Sequence, residues 1–102
     1  MAKYNVEVVE RNEKTVTLKI GFGDPAGNDE IVKDAKAAVE AVSEEVMGKT
    51  VLLNGPASLP VAVVLAHALV HICPAVGVFD PKLGKYVISV SHTNAYKVGD
   101  LL

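Results

Sequence analysis

Hydrophobic and polar positions alternate near the start of the chain. In YNVEVVE, Val6 and Val8 alternate with Asn5 and Glu7, and in TVTLKIGF, Val16, Leu18, Ile20 and Phe22 alternate with Thr15, Thr17 and Lys19. A period of two marks half-buried strands, and the polar stretch Arg11 to Lys14 between them predicts an antiparallel hairpin. Gly21, Gly23, Asp24, Pro25, Gly27 and Asn28 then form a loop, with Asn28 or Asp29 as the expected helix cap. From Ile31 the period changes: Ala35, Ala38, Val42 and Val46 recur at three and four residues, while Lys33, Asp34, Lys36, Glu40 and Glu44 lie elsewhere around the wheel. This predicts an amphipathic helix ending at Gly48.

KTVLLNG is a short apolar strand with a turn at its end. Pro56 and Pro60 are tolerated only near the start of the next helix, where the first amide protons have no intrahelical partner. Ser58 is the expected cap, and the helix runs to about Ile72 with an apolar wheel nearly all round, which predicts burial on more than one side. AVGVFD is continuously apolar, as in a central parallel strand. DPKLGK is a turn, and Lys85 to Ser91 a strand returning antiparallel. The sequence thus predicts one α/β domain over residues 1–102. Its expected form is a small Rossmann-like mixed sheet with an N-terminal β-hairpin, two helices and one strand-helix-strand crossover from Val51 to Asp80.

Composition narrows the chemistry. With 102 residues the chain builds one core but does not enclose a large ligand alone, so a large site is expected to be shared between subunits. A net charge of -2 gives no basic field for duplex DNA. Cys73, the only cysteine, allows no intramolecular disulfide, and MAKYNVEVVE lacks a secretory apolar region. No apolar run reaches the ~20 residues of a membrane span, so a cytoplasmic protein without a membrane partner is expected.

The polar residues then divide between two rims. Asn54-Gly55-Pro56-Ala57-Ser58 and Asp80-Pro81-Lys82 leave the carboxyl ends of parallel strands, where open α/β sheets bind ligands, and the helix starting near Ser58 turns its free amides there. His71, near the end of that helix, and His92, after the descending last strand, belong at the opposite rim, some ~20 Å of strand from Asp80. A His-Asp site therefore needs two molecules, the lower rim of one meeting the upper rim of another.

His67 and His71 have the i, i+4 spacing of helical zinc ligands, but no Glu follows the first as in HExxH. Mid-helix His67 is read as a packed, hydrogen-bonded core histidine, and His71 as functional. Asp80 before Pro81 is by itself a common turn starter. His92 follows a strand on which Tyr86, Ile88 and Val90 are expected to share its face. Cys73 is expected to be a core thiol.

The run GPASLPVAVVLAHALVHICPAVGVFDPKLGKYVISVSH, with its GP turn, LAHxxxH helix, DPxLG turn and closing SH, resembles the CRISPR-associated Csx-three family of ring nucleases. The resemblance covers Asn54 to His92, with a looser fit at Val98-Gly99-Asp100. It implies a dimeric protein of the CRISPR-associated Rossmann-like (CARF) class that degrades cyclic tetra-adenylate, the second messenger of type III CRISPR defence. The implied reaction depends on Mn²⁺ or another divalent metal, and the ring is held between dimers stacked to a tetramer. On matching positions it implies His71, Asp80 and His92 as catalytic residues, Asp80 as the metal carboxylate, and Gly55 and Pro56 as substrate contacts. Asn54, Ser58 and Lys82 join the binding set. The chain carries Lys82 where family members have Arg, a point charge instead of a bidentate fork, and Ala57, Ser58 and Leu59 where many have an aromatic residue. Competing expectations are a non-catalytic oligoadenylate or short-RNA binding module, and a structural oligomer.

Overall fold

A computed structural model describes residues 2–102. Strands β1 (Tyr4–Arg11) and β2 (Thr15–Phe22) form the expected hairpin, followed by helix α1 (Asn28–Ala41), a short helix α2 (Ser43–Val46), β3 (Thr50–Asn54), helix α3 (Leu59–Val70), β4 (Ala75–Asp80) and β5 (Lys85–Ser91). The five strands lie side by side in chain order. The outer pairs β1/β2 and β4/β5 are antiparallel, and the central pairs β2/β3 and β3/β4 are parallel. The predicted small mixed α/β sheet with a hairpin and two principal helices is what the chain adopts. It holds two crossovers, however, because β2 joins β3 in parallel through α1, besides the expected crossover through α3.

Both helices pack on one face of the sheet. Val16, Leu18, Ile20, Val51, Leu53 and Val76 from the strands form one buried cluster with Ile31, Ala35 and Val39 of α1 and Val61, Leu65 and Leu69 of α3. Those helix residues recur every four positions, so each helix buries one stripe. The apolar wheel of α3 does not mean burial on several sides. Leu59 is 84% exposed and Val63 68%, because no further helix covers its outer side.

Three local features depart from expectation. The cap of α1 is the backbone of Gly27, with no side-chain bond, and Asn28 is the first helical residue. The helix breaks at Val42 before the single turn of α2, and Gly48, at φ 76°, ends it in the left-handed region that favours glycine. In β5 the register shifts by one: Ile88 pairs with Gly77, but Val90 pairs with Val76. Ser89 is thus the extra residue of a β-bulge, which leaves Tyr86 and Ile88 on the face away from the helices and turns Val90 toward the core. Tyr86, Ile88 and Val90 do not share a face.

The C-terminal segment continues the sheet. Leu101 bridges Val87, the Leu102 amide donates to the Tyr86 carbonyl and the Tyr86 amide to the Leu102 carbonyl, each at 2.9 Å, and the Gly99 amide donates to the Ile88 carbonyl at 2.8 Å. This covers what would be an open edge of β5 and helps explain why Ile88, on the face without helices, is fully buried. Among the described residues no helix is long and apolar enough to cross a membrane.

Candidate functional site

The upper rim is built by turns whose geometry the local sequence dictates. Gly55, at φ 143°, leads out of β3 so close to β2 that a Cβ there would lie 1.8 Å from the Ile20 carbonyl oxygen. Only glycine fits. The next residue is tied down by the Tyr4 hydroxyl, which donates to the Pro56 carbonyl at 2.7 Å. Ser58 caps α3 as expected: its Oγ accepts from the Val61 amide at 3.3 Å. The same hydroxyl donates to Asn28 Oδ1 at 2.8 Å, which joins the heads of both long helices. Pro60 lies within the first turn of α3, where its missing N–H leaves no bond unmade.

Asp80 closes β4 opposite Lys85 and opens the following turn. Its Oδ1 accepts from the amides of Lys82 at 2.8 Å and Leu83 at 3.2 Å, an Asx-type turn that fixes the side chain's direction. Oδ2 makes no hydrogen bond to the described residues. Lys82 is exposed, and with Val78, Phe79, Asp80, Pro81, Val87 and Ser89 it borders an open depression of about 700 Å³. Asn54, Gly55 and Pro56 border a second, of about 430 Å³, together with Lys19 and Ile20. Asn54 Nδ2 donates to the Tyr86 hydroxyl at 3.4 Å, and the Tyr86 ring meets Phe79 edge-on with centroids 5.2 Å apart.

Lys19 and the Phe79/Tyr86 pair belong to this rim and were missed by motif reasoning. Each sits in a strand pattern that reads as ordinary alternation. Their one signal is register: Lys19 pairs with Asn54 and Phe79 with Tyr86.

The lower rim lies at the opposite end of β4, roughly 16 Å from Asp80 at the usual strand rise. There Ala75 pairs with Ser91, and the His92 amide donates to the Pro74 carbonyl at 2.7 Å. His92 continues the parity of Val90, so the bulge at Ser89 directs it to the side of the sheet that carries the helices. His71 is the C-terminal cap residue of α3. The backbones bearing His71 and His92 therefore converge on this rim, and Asp80 and Lys82 lie on the other.

His67 corrects the sequence reading. It is exposed, not packed in the core, and its Nε2 lies 3.1 Å from His71 Nε2, with the ring centroids 4.7 Å apart and the planes at 75°. The pair borders a groove of about 350 Å³ between α3 and α1, with Lys36, Glu40 and Ser43 on the far side. The buried stripe of α3 is Val61, Leu65 and Leu69, and residue 67 falls outside it.

Burial perturbs two side chains, neither of them a candidate from the motifs. It pushes the Tyr4 hydroxyl up to about 12 and the Cys73 thiol up to about 11, so both stay protonated at neutral pH. Cys73 is a buried core thiol, as expected, and donates weakly to the Val46 carbonyl at 3.4 Å. Among the described residues no three His, Cys, Asp or Glu side chains converge as a metal-ligand set. Within one chain Asp80 offers a single free carboxylate oxygen at the upper rim.

No curated protein significantly matches the chain. A family model described as CRISPR-associated protein (Cas_csx3) matches residues 29–102, reaching beyond the motif-bearing run to take in α1 and the C-terminal segment, and the chain belongs to that CRISPR-associated family.

Proposed function

We propose that the protein is a metal-dependent ring nuclease that linearises cyclic tetra-adenylate, with the substrate sandwiched between stacked copies of a homodimer. The observation that carries this reading is the separation of Asp80 and Lys82 from His71 and His92 by the length of β4. A site using all four groups has to be assembled from the upper rim of one copy and the lower rim of another. Leu59 and Val63 on α3 and Val78 on β4 are exposed and apolar, which favours contact with a second copy.

An internucleotide phosphodiester of RNA carries its own nucleophile, the neighbouring 2'-hydroxyl. The protein then needs to align that oxygen with phosphorus, accept its proton, return one to the leaving oxygen and stabilise the charge that develops. His71 and His92 supply the acid and base groups, and Lys82 and Lys19 supply positive charge at the opposing rim. The turn at Gly55 and Pro56 and the Leu59 amide at the head of α3 suit a phosphate oxygen, since Pro60 has no N–H and Ser58 already holds the Val61 and Ala62 amides. Asn54 with the Phe79/Tyr86 pair suits a base, since aromatic rings stack on adenine without need of a base-edge code. The divalent ion implied for the family, Mn²⁺, fits one free carboxylate oxygen plus substrate phosphates and water, as hard cations bind. Asp80 Oδ2 would hold it, and when bound the ion supplies charge neutralisation at the phosphate.

Incubation with cyclic tetra-adenylate and MnCl₂, followed by chromatography of the products, tests the reading. Linear oligoadenylates that disappear on chelation are expected. Intact ring after prolonged incubation would refute the enzyme. A non-catalytic oligoadenylate-binding module is the second reading, favoured by the engagement of Asp80 Oδ1 and the Ser58 hydroxyl in their own turn and cap. Saturable binding by calorimetry, with the ligand recovered intact, would establish it.

A further inference from the structure

We infer that His67 and His71 form a bidentate site for a late first-row transition ion such as Ni²⁺, Cu²⁺ or Zn²⁺. The two Nε2 atoms are 3.1 Å apart on successive turns of α3. With metal–nitrogen bonds of ~2.0–2.1 Å, two adjacent donors on one ion lie roughly 2.9 Å apart in octahedral geometry and roughly 3.3 Å apart in tetrahedral geometry. The observed separation falls between these limits. No backbone movement is needed to bring the donors together, because the helix already holds them at the i, i+4 spacing.

In the free protein the same two atoms share a hydrogen bond, so one ring donates and the other accepts. Both rings are exposed, so the donating ring exchanges its Nε2 proton for one on Nδ1 through solvent, and both Nε2 lone pairs then face a common ion. Glu40 borders the same groove, its carboxylate 3.1 Å from the Lys36 ammonium, and does not converge with the two imidazoles as a third ligand. Water fills the remaining positions.

This site differs in kind from an Asp80 site. Imidazole nitrogen favours Zn²⁺, Ni²⁺ and Cu²⁺, whereas Mn²⁺ stands lowest in the stability order and favours oxygen. The pair therefore selects a different ion at the lower rim, independently of whether the protein cleaves oligoadenylates. An ion bound here occupies His71 Nε2.

Isothermal titration of the full chain without nucleotide, using CuCl₂, NiCl₂, ZnCl₂ and MnCl₂ separately, reads the site directly. One ion per chain is expected, with Cu²⁺ tightest and Mn²⁺ weakest. His67→Ala and His71→Ala each remove the chelate and are expected to weaken Ni²⁺ binding about tenfold or more, since the second donor then acts without an effective local partner. His92→Ala is expected to leave Ni²⁺ binding unchanged. Circular dichroism verifies that the exposed substitutions keep the fold. Ni²⁺ affinity that survives either His67→Ala or His71→Ala, or that falls equally in His92→Ala, overturns the inference.

Discussion

A Cβ on Gly55 would stand 1.8 Å from the carbonyl oxygen of Ile20, so the turn at the upper rim lies directly on the backbone of the neighbouring strand. Gly55→Ala has to move that turn away from β2 and hold a side chain at φ 143°. Backbone strain and overpacking together are expected to cost roughly 2–6 kcal/mol. Urea denaturation of both proteins checks this, and an unchanged midpoint would show that the turn is adjustable.

Ser58→Ala removes the side-chain cap of α3 and its bond to Asn28. A loss of about 1 kcal/mol of stability is expected, with Ser58→Gly milder because glycine is an acceptable cap. Thermal melts of the two variants give the order. If alanine is no worse than glycine, the cap contributes little.

Stability is expected to fall on the alkaline side in two overlapping windows. Burial raises the folded-state value of Cys73 from 9.0 to about 11 and that of Tyr4 from 10.0 to about 12. Each raised group stabilises the fold fully below its unfolded value, and the stabilisation is lost as pH rises toward the folded one. The first loss therefore runs from about 9 to about 11, and the second from about 10 to about 12. Tyr4→Phe should abolish the second, at a cost of roughly 0.5–1.5 kcal/mol at neutral pH for the lost bond to Pro56. Denaturation midpoints measured from pH 8 upward test both claims.

For the proposed nuclease, His71→Ala and Asp80→Ala are each expected to lower turnover by about 100-fold or more, the usual scale of a positioned acid-base group. Neither side chain is in the helix-face core, so both variants should fold. Mixing the two inactive proteins should restore part of the activity, because a hybrid stack can pair an intact lower rim with an intact upper rim. Mixtures that exchange subunits yet stay inactive would exclude a site shared between rims.

The error at His67 shows where the sequence loses its hold. In an apolar helix a mid-helix histidine reads as packed, because Leu59, Val63 and Val64 all suggest burial around the wheel. Which stripe is buried depends on what lies outside the helix, and α3 has no neighbour on its outer side. Likewise, alternation in β5 puts Tyr86, Ile88 and Val90 on one face, and the bulge at Ser89 arises from the register with β4. The pattern of side chains along one strand carries no record of it.

The strands, the two long helices and the cap at Ser58 follow from the chain alone, since two-residue and four-residue periodicities and helix caps are local physics. The separation of Asp80 from His71 followed from chain direction alone. The parallel pairing of β2 with β3, the docking of the C-terminal segment on β5, the meeting of Lys19 with Asn54 and the exposure of His67 emerge only once the chain is folded. Each depends on long-range backbone pairing or on which neighbours are present, and neither is written in the pattern of a single element.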